Sequence, residues 1–334
     1  MPVSLDSCLI VGGGLCGLLA ARELAEAGVE VTVLEESDSV GGRMATRRSG
    51  GAVFDHGAQF FTVRGERFGA LVDGWLRAGA AAEWSRGFPK PGESAPDGYP
   101  RYRGAEGMAS IPRHLATGLD VRPGECVTRV EKEGERWRIF TQTGGEYSSA
   151  ALLLTPPAPR SLALAQSGGF RLAQPDQRQL AEIAYDPCLA LMARLDGDDS
   201  PVPQPGGLQI KSEPLDWISD NRLKSISPST ALTIHAGPAY SRDHYEFPEQ
   251  EIERELISLA EEALKTRFAK RVTETRLQHW RYSWVTHPHP EPCFATDSRA
   301  PLVFAGDGFG QPKVEGAALS GLAAADLLLQ RSHS

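Results

Sequence analysis

The sequence is poor in the residues that build disulfide frameworks, metal centres and membrane spans. Its 5 Cys (8, 16, 126, 188 and 293) are scattered, odd in number and without a C-x-x-C pair. That argues against a disulfide scaffold or a zinc site and leaves them as small buried hydrophobes. The longest apolar runs, 8–21 and 317–329, fall short of a membrane span, and Asp6 stands where a signal peptide would carry cations. No run of Lys and Arg relieves a net charge of -8, so nucleic acid is not an expected partner. Gly-x-Ser-x-Gly and His-Glu-x-x-His are missing, and no metal ligands accompany His287 and His289, whose Thr-His-Pro-His-Pro setting reads as an exposed turn. No repeat of 20–50 residues recurs, which excludes a solenoid or propeller. With 41% hydrophobic residues there is material for a packed core, and 35 Gly with 24 Pro exclude a helical bundle. We therefore expect a cytoplasmic globular protein with a small-molecule partner and no bound metal.

What is present starts at once. Residues 8–12 form a short apolar strand that runs into Gly12-x-Gly14-x-x-Gly17 and then a helix opened by Leu15 and Cys16 and stopped at Gly28. The first Gly makes the turn, the second lets backbone approach a pyrophosphate, and the third allows close helix packing. The helix N-terminus then faces the anion. The alternating strand 30–35 ends on Glu35 and Glu36, about 20 residues on, where a carboxylate accepts ribose hydroxyls and repels a 2′-phosphate. A second glycine turn, Gly41-Gly42-Arg43-Met44, brings an Arg able to neutralise a diphosphate. Together these specify a dinucleotide site and leave FAD and NAD as alternatives.

At the far end, strand 300–305 closes on Gly306-Asp307, followed by Lys313-Val314-Glu-Gly-Ala and a helix of small residues. Small side chains let such a helix start close to a bulky planar ligand, Asp307 can bond a ribityl or ribose hydroxyl, and the dipole suits the pyrimidine side of a flavin.

Combined, these segments resemble the glutathione-reductase-like FAD proteins of the flavin amine oxidase superfamily, and within it the bacterial renalase-like group. The resemblance is carried by Gly41–Arg48, Asp55-His-Gly-Ala58-Gln59-Phe60-Phe61-Thr62, Gly107–Pro112, Thr155–Pro159, Leu215-Asp-Trp217 with Asn221-Arg222, Thr233-Ile-His235-Ala236, His279–Tyr282 and Val314–Gly321, in family order over nearly the whole chain. It implies an α/β fold: a Rossmann-type FAD-binding domain (1–64, 104–160 and 290–334) with an inserted α+β substrate domain (65–103 and 161–289). It also implies noncovalent FAD held by Gly12, Gly14, Leu15, Cys16, Gly17, Glu35, Glu36, Gly42, Arg43, Met44, Ala58, Gln59, Phe60, Val127, Gly306, Asp307, Lys313 and Val314. Substrate contacts are expected from Phe61, Thr62, Tyr102, Tyr185, His235, Trp280 and Tyr282. Two family aromatics are replaced by Gly308 and Ala318, which leads us to expect a larger pocket with Phe309 filling part of it.

Spacing adds local detail. Phe68, Leu71, Val72, Trp75 and Leu76 read as a helix over 67–77, and 88–100 as a surface loop. Strands are expected at 126–130, 137–141, 151–154, 188–195, 208–211 and 230–236, and an amphipathic helix at 249–268 with Ile252, Leu256, Leu259, Ala260 and Ala263 on one face. Arg222, Lys224, Arg242 and Arg281 can give a positive field in an acidic protein. No lysine is expected at the flavin's reactive edge. The resemblance implies an oxidase of the 2- and 6-dihydro isomers of NAD(P)H, giving NAD(P)+ and H2O2 by hydride transfer to flavin N5 with O2 as acceptor. The alternatives are an amine oxidase or desaturase, and a non-enzymatic flavin-binding redox sensor.

Overall fold

Residues 5–89 and 97–331 are described by a computed structural model. Residues 90–96 of the expected loop lie outside them. The first strand, Ser7–Val11, is buried throughout and pairs in parallel with Glu30–Glu35 on one side and Ala151–Leu154 on the other. Asp120–Pro123 extends the sheet beyond Glu30–Glu35, and Leu302–Phe304 and Phe294–Ala295 extend it at the opposite edge. Unbroken apolar strands are what a sheet covered on both faces requires. Helix Leu15–Glu26 lies on one face with the C-terminal helix Lys313–Arg331, and Gly321 lets them touch: a Cβ there would sit 2.3 Å from the Cys16 carbonyl oxygen. The antiparallel strands Val127–Glu133, Arg136–Thr141 and Glu146–Ser149 cover the other face, burying Val130, Trp137 and Ile139.

A second, five-stranded antiparallel sheet is formed by Gly207–Ser212, Leu215–Asp220, Ala231–Ala236, Ala184–Leu195 and Val272–His287, in that order. Of the last strand, the sequence marks only the segment around Trp280. Leu189, Leu191, Ile218, Leu232 and Ile234 face helix Glu249–Leu264 and bury its Ile252, Leu256 and Ala260. That helix is shorter than expected, because Lys265 turns left-handed (φ 52) and the buried Glu261 carboxylate accepts the N–H groups of Phe268 and Ala269. Ala263, expected on the apolar face, is exposed.

The opposite face of this sheet carries Trp217, Ser219, Thr233 and His235 towards residues 55–60. Helix Glu66–Arg77, expected with the substrate lobe, instead packs Phe68, Val72 and Trp75 against Leu15, Leu18, Val314, Ala318 and Leu322 beside the parallel sheet. The chain entering it is held by the buried Glu315, whose oxygens accept from Arg64 N (3.0 Å) and Gly65 N (2.7 Å).

Candidate active site

The two glycine turns meet. Gly41 N donates to Gly13 O at 2.9 Å, and a Cβ on Gly42 would lie 3.8 Å from Gly14 Cα. Gly17 carries the steric demand of the fingerprint, since a Cβ there would stand 2.1 Å from Gly12 O. Nothing lies within 4 Å of the position a Gly14 Cβ would take, so the approach to the first turn of helix Leu15–Glu26 is open where its N–H groups lack intrahelical partners. Glu35 is buried, and its two oxygens accept from Gly13 N (2.7 Å) and Ser37 N (2.8 Å). Each oxygen keeps a lone pair for a ribose hydroxyl. The Glu35 and Ser37 carbonyls accept from Glu125 and Gly124, which brings the chain leading to buried Val127 alongside this end.

Arg43 reaches across the fold to Asp307. Both N–H groups of its fork donate to the carboxylate at 2.6 Å, and one also reaches the Tyr282 carbonyl at 3.2 Å. Next to Arg43 runs the turn 55–59: Ala58 N donates to Arg43 O at 2.8 Å. A ribose-directed carboxylate, an open glycine turn and an Arg–Asp pair suit, in this order, the adenosine, diphosphate and ribityl parts of FAD. Burial pushes the Cys16 thiol up to about 12.

Residues 95–329 match the model of the flavin containing amine oxidoreductases, and residues 10–75 that of the NAD(P)-binding Rossmann-like domain. The chain belongs to the flavin containing amine oxidoreductase family. It is a renalase-like, FAD-dependent oxidoreductase. Renalase of Mus musculus is 25% identical over 339 residues, covering 96% of this chain and 98% of that protein. Putrescine oxidase of Kocuria rosea is 35% identical over 128 residues, 37% of this chain and 23% of that one. Among solved structures, a putative protoporphyrinogen oxidase from Exiguobacterium sp. 255-15 shares the fold at TM-score 0.73 and 13% identity, covering 98% of this chain and 100% of its own. No helix among the described residues is long and apolar enough to cross a membrane.

Several expected family contacts are rearranged. Phe60, expected at the cofactor, and Phe61, expected on the substrate side, point in opposite directions. Phe61 is buried against Phe68, Trp75 and Tyr102 in the helical core, and Tyr102, stacked on it, follows it there. Phe60 instead faces the lobe, against Phe88 (5.0 Å) and Trp217 (5.4 Å). Phe88 is therefore a buried wall residue and not surface loop. Met44 lies in the helical core, and Glu36 is engaged in a two-pronged ion pair with Arg160. His289, expected to be exposed, is buried against Phe309 and Phe294, while His287 is exposed.

The enlarged pocket does not open at Gly308. A Cβ there would meet the Tyr185 hydroxyl at 2.4 Å and Ile183 Cγ2 at 3.0 Å, so the Tyr185 ring occupies that space, edge-on to Tyr282. Phe309 turns into the core beneath the parallel sheet, and Ala318 is enclosed by the helical core. Burial pushes the Tyr185 phenol up to about 12.

On the lobe sheet His235 and Trp280 donate to one acceptor, the His56 carbonyl, at 3.2 and 2.9 Å, and the His56 ring stacks on Trp280. A carbonyl only accepts, so His235 Nε2 carries the proton. Burial pushes His56 and His235 each down to about 4. The expected positive field is not assembled. Arg242 pairs with Asp186, Arg281 with Glu246, Arg222 donates to the Asp198 carbonyl, and Lys224 is fully buried against Asp55. Lys224 also bonds Gln59 O at 2.6 Å, so a lysine does stand beneath the turn that flanks Arg43. Sequence spacing gave no sign of it, because its partners come from residues 55–59.

Proposed function

We propose that this oxidoreductase oxidises 2- and 6-dihydro isomers of NAD(P)H to NAD(P)+. The observation that carries the reading is the end-to-end correspondence with renalase of Mus musculus, 96% of one chain and 98% of the other, against 37% and 23% for putrescine oxidase. In this reading Gly12, Gly14, Leu15, Cys16 and Gly17 seat the diphosphate, Glu35 takes the ribose hydroxyls and Val127 the adenine edge. Arg43 and Asp307 hold the diphosphate and ribityl chain, with Gly42, Gly306, Lys313 and Val314 around them and Ala58 and Gln59 along the ring. Residues 1–64, 104–160 and 290–334 make the FAD-binding part, to which helix Glu66–Arg77 adds its packing.

Bound FAD supplies the hydride acceptor and, on reoxidation by O2, H2O2. The chain contributes binding and orientation. Loss of hydride from such a ring restores an aromatic pyridinium without loss of a proton, so no general base is required. The groups around the turn 55–59 and the Arg43–Asp307 pair agree: His56 and His235 stay neutral but are very weak bases, Tyr185 holds its proton, and Lys224 is committed to Asp55. Thr62, Tyr185, His235, Trp280 and Tyr282 form the proposed substrate side.

Amine oxidation is the second reading. It is favoured by the aromatic walls of Phe60, Trp84, Phe88 and Trp217 and by the half-buried Asp216 in the same strand as Trp217. Burial pushes the Asp216 carboxyl above the usual carboxylate range.

Anaerobic stopped-flow mixing of the holoenzyme with separated 2-, 4- and 6-dihydro isomers of NADH and NADPH decides between them, followed by flavin bleaching near ~450 nm. Fast bleaching by the 2- or 6-isomer and not by the 4-isomer is the expected result. No bleaching by any isomer, together with reduction by a diamine, overturns the proposal in favour of the second reading.

A further inference from the structure

The family activity leaves one conspicuous group without a role. The Lys224 side chain is 0% exposed, as is that of its partner Asp55, 2.7 Å away. A buried lysine is costly unless paired and fully bonded, and burial does push its pKa down. Its ammonium has two acceptors, Asp55 Oδ2 and Gln59 O (2.6 Å), and lies 4.8 Å from the centre of the Trp84 ring. The other Asp55 oxygen accepts from Met108 N (2.8 Å) and Thr46 Oγ1 (2.5 Å).

The pair belongs to a wider pattern. Nearly every acceptor of the turn 55–59 is taken by a side chain. Thr233 Oγ1 and Gln59 Nε2 donate to Asp55 O (2.9 and 2.6 Å), His235 and Trp280 to His56 O, Gln59 Nε2 to Gly57 O (3.1 Å), and Ser219 to Gln59 Oε1 (2.8 Å). By contrast, the N–H groups of Gly57, Gln59 and Phe60 have no acceptor among the described residues. The turn rests on Arg43: a Cβ on Gly57 would stand 2.1 Å from Arg43 O. It thus flanks the Arg43–Asp307 pair with its carbonyls committed and several donors free.

We propose that Lys224, through its buried pair with Asp55, is a positioning residue that fixes the turn 55–59 so that its uncommitted N–H groups are presented to the electron-rich edge of the flavin ring. Donors aimed where charge accumulates on reduction stabilise the reduced form without reorganising. The proposal rests on the FAD assignment of the family and not on the identity of the donor substrate.

The test compares Lys224→Met, Asp55→Asn and the double variant as holoenzymes. The readouts are flavin midpoint potential by dye equilibration, visible spectrum, FAD retention and thermal unfolding. Each single change strands a buried charge and is expected to lower Tm and FAD retention, whereas removing both charges restores the fold. The double variant is expected to keep FAD, to have a lowered midpoint potential, and to lose kcat by up to about 10²-fold with little change in KM. A double variant with wild-type potential and spectrum shows that the pair only braces the fold, and overturns the proposal. Should the double variant fail to fold, Thr233→Val removes one clamp on the same turn without a buried charge, and is expected to lower the potential in the same direction. An unchanged potential there also overturns the proposal. Because the potential is measured without an organic donor, neither result depends on whether dihydronicotinamides are the substrate.

Discussion

Gly14 and Gly17 stand three residues apart in one motif, yet the structure assigns them opposite costs when a methyl group is added. Gly14 has φ -79 and ψ 179, which alanine adopts without strain, and nothing lies within 4 Å of the new Cβ. Reduced freedom in the unfolded chain favours Gly14→Ala by about 0.4–1 kcal/mol. The poorer N-cap opposes it by a similar amount. Apoprotein stability should stay within about 1 kcal/mol of the parent. The Cβ does enter the space that a pyrophosphate needs; loss of one charge-assisted hydrogen bond, about 1.5–3 kcal/mol, weakens FAD binding roughly 10- to 100-fold. Gly17→Ala meets backbone at 2.1 Å, and the Gly12 carbonyl cannot move aside without shifting the strand end. A cost of about 1–3 kcal/mol or more follows for the apoprotein itself. Urea unfolding of both apoproteins and flavin-fluorescence titration with FAD separate the two effects. A Gly14→Ala protein that binds FAD like the parent, or a Gly17→Ala apoprotein with an unchanged urea midpoint, would refute the reasoning.

Two further outcomes follow from geometry away from the phosphate turn. His56 and His235 are held at about 4 against an ordinary 6.5, so between those values the unfolded chain binds more protons than the folded one. Stability therefore rises with pH from about 4 to 6.5 and is flat above, with a slope of up to about 1.4 kcal/mol per pH unit from each histidine. Urea midpoints across that range should show His235→Gln removing a large part of the slope, and an identical slope in that variant would show that His235 is not its source. At Gly308, alanine should cost about 1–3 kcal/mol by overpacking. Tyr185→Phe alone should cost about 0.5–1.5 kcal/mol for the bond from Ala158 N. With the hydroxyl gone the nearest atom to the new methyl is Ile183 Cγ2 at 3.0 Å, so the double variant should be more stable than the sum by about 0.5–3 kcal/mol. Strict additivity in a double-mutant cycle would mean that the ring does not fill that space.

The nucleotide half was readable because its constraints are local. Strand, glycine turn, helix and terminal Glu35 lie within one short stretch, and each residue's part follows from its neighbours in sequence. The lobe was readable only in outline. Its strands declare themselves by alternation, but Asp120–Pro123 is too short and too polar to do so, and Val272–His287 has half-buried residues along most of its length and no clean period. Side-chain roles set across the fold were the hardest. Whether Phe60 or Phe61 faces the lobe depends on the Phe61–Tyr102 backbone pairing, and the place of Lys224 depends on Asp55, 169 residues away. What Gly308 leaves room for depends on Tyr185, which comes from another strand.

The parallel sheet also dictates an order of assembly. Ser7–Val11 is made first but sits between Glu30–Glu35 and Ala151–Leu154, and Leu302–Phe304 must arrive before Ala151–Leu154 gains its outer neighbour. Loops of that length are entropically slow to close. On the ribosome, the half of the molecule whose fingerprint comes first is thus the last to be finished: Arg43 waits 264 residues for Asp307. The antiparallel lobe between them, with its helix Glu249–Leu264, has all its strands in hand by His287. A nascent chain therefore carries a completed lobe inside an unfinished nucleotide domain. Its exposed apolar strand edges over that interval are where chaperones would be expected to engage it.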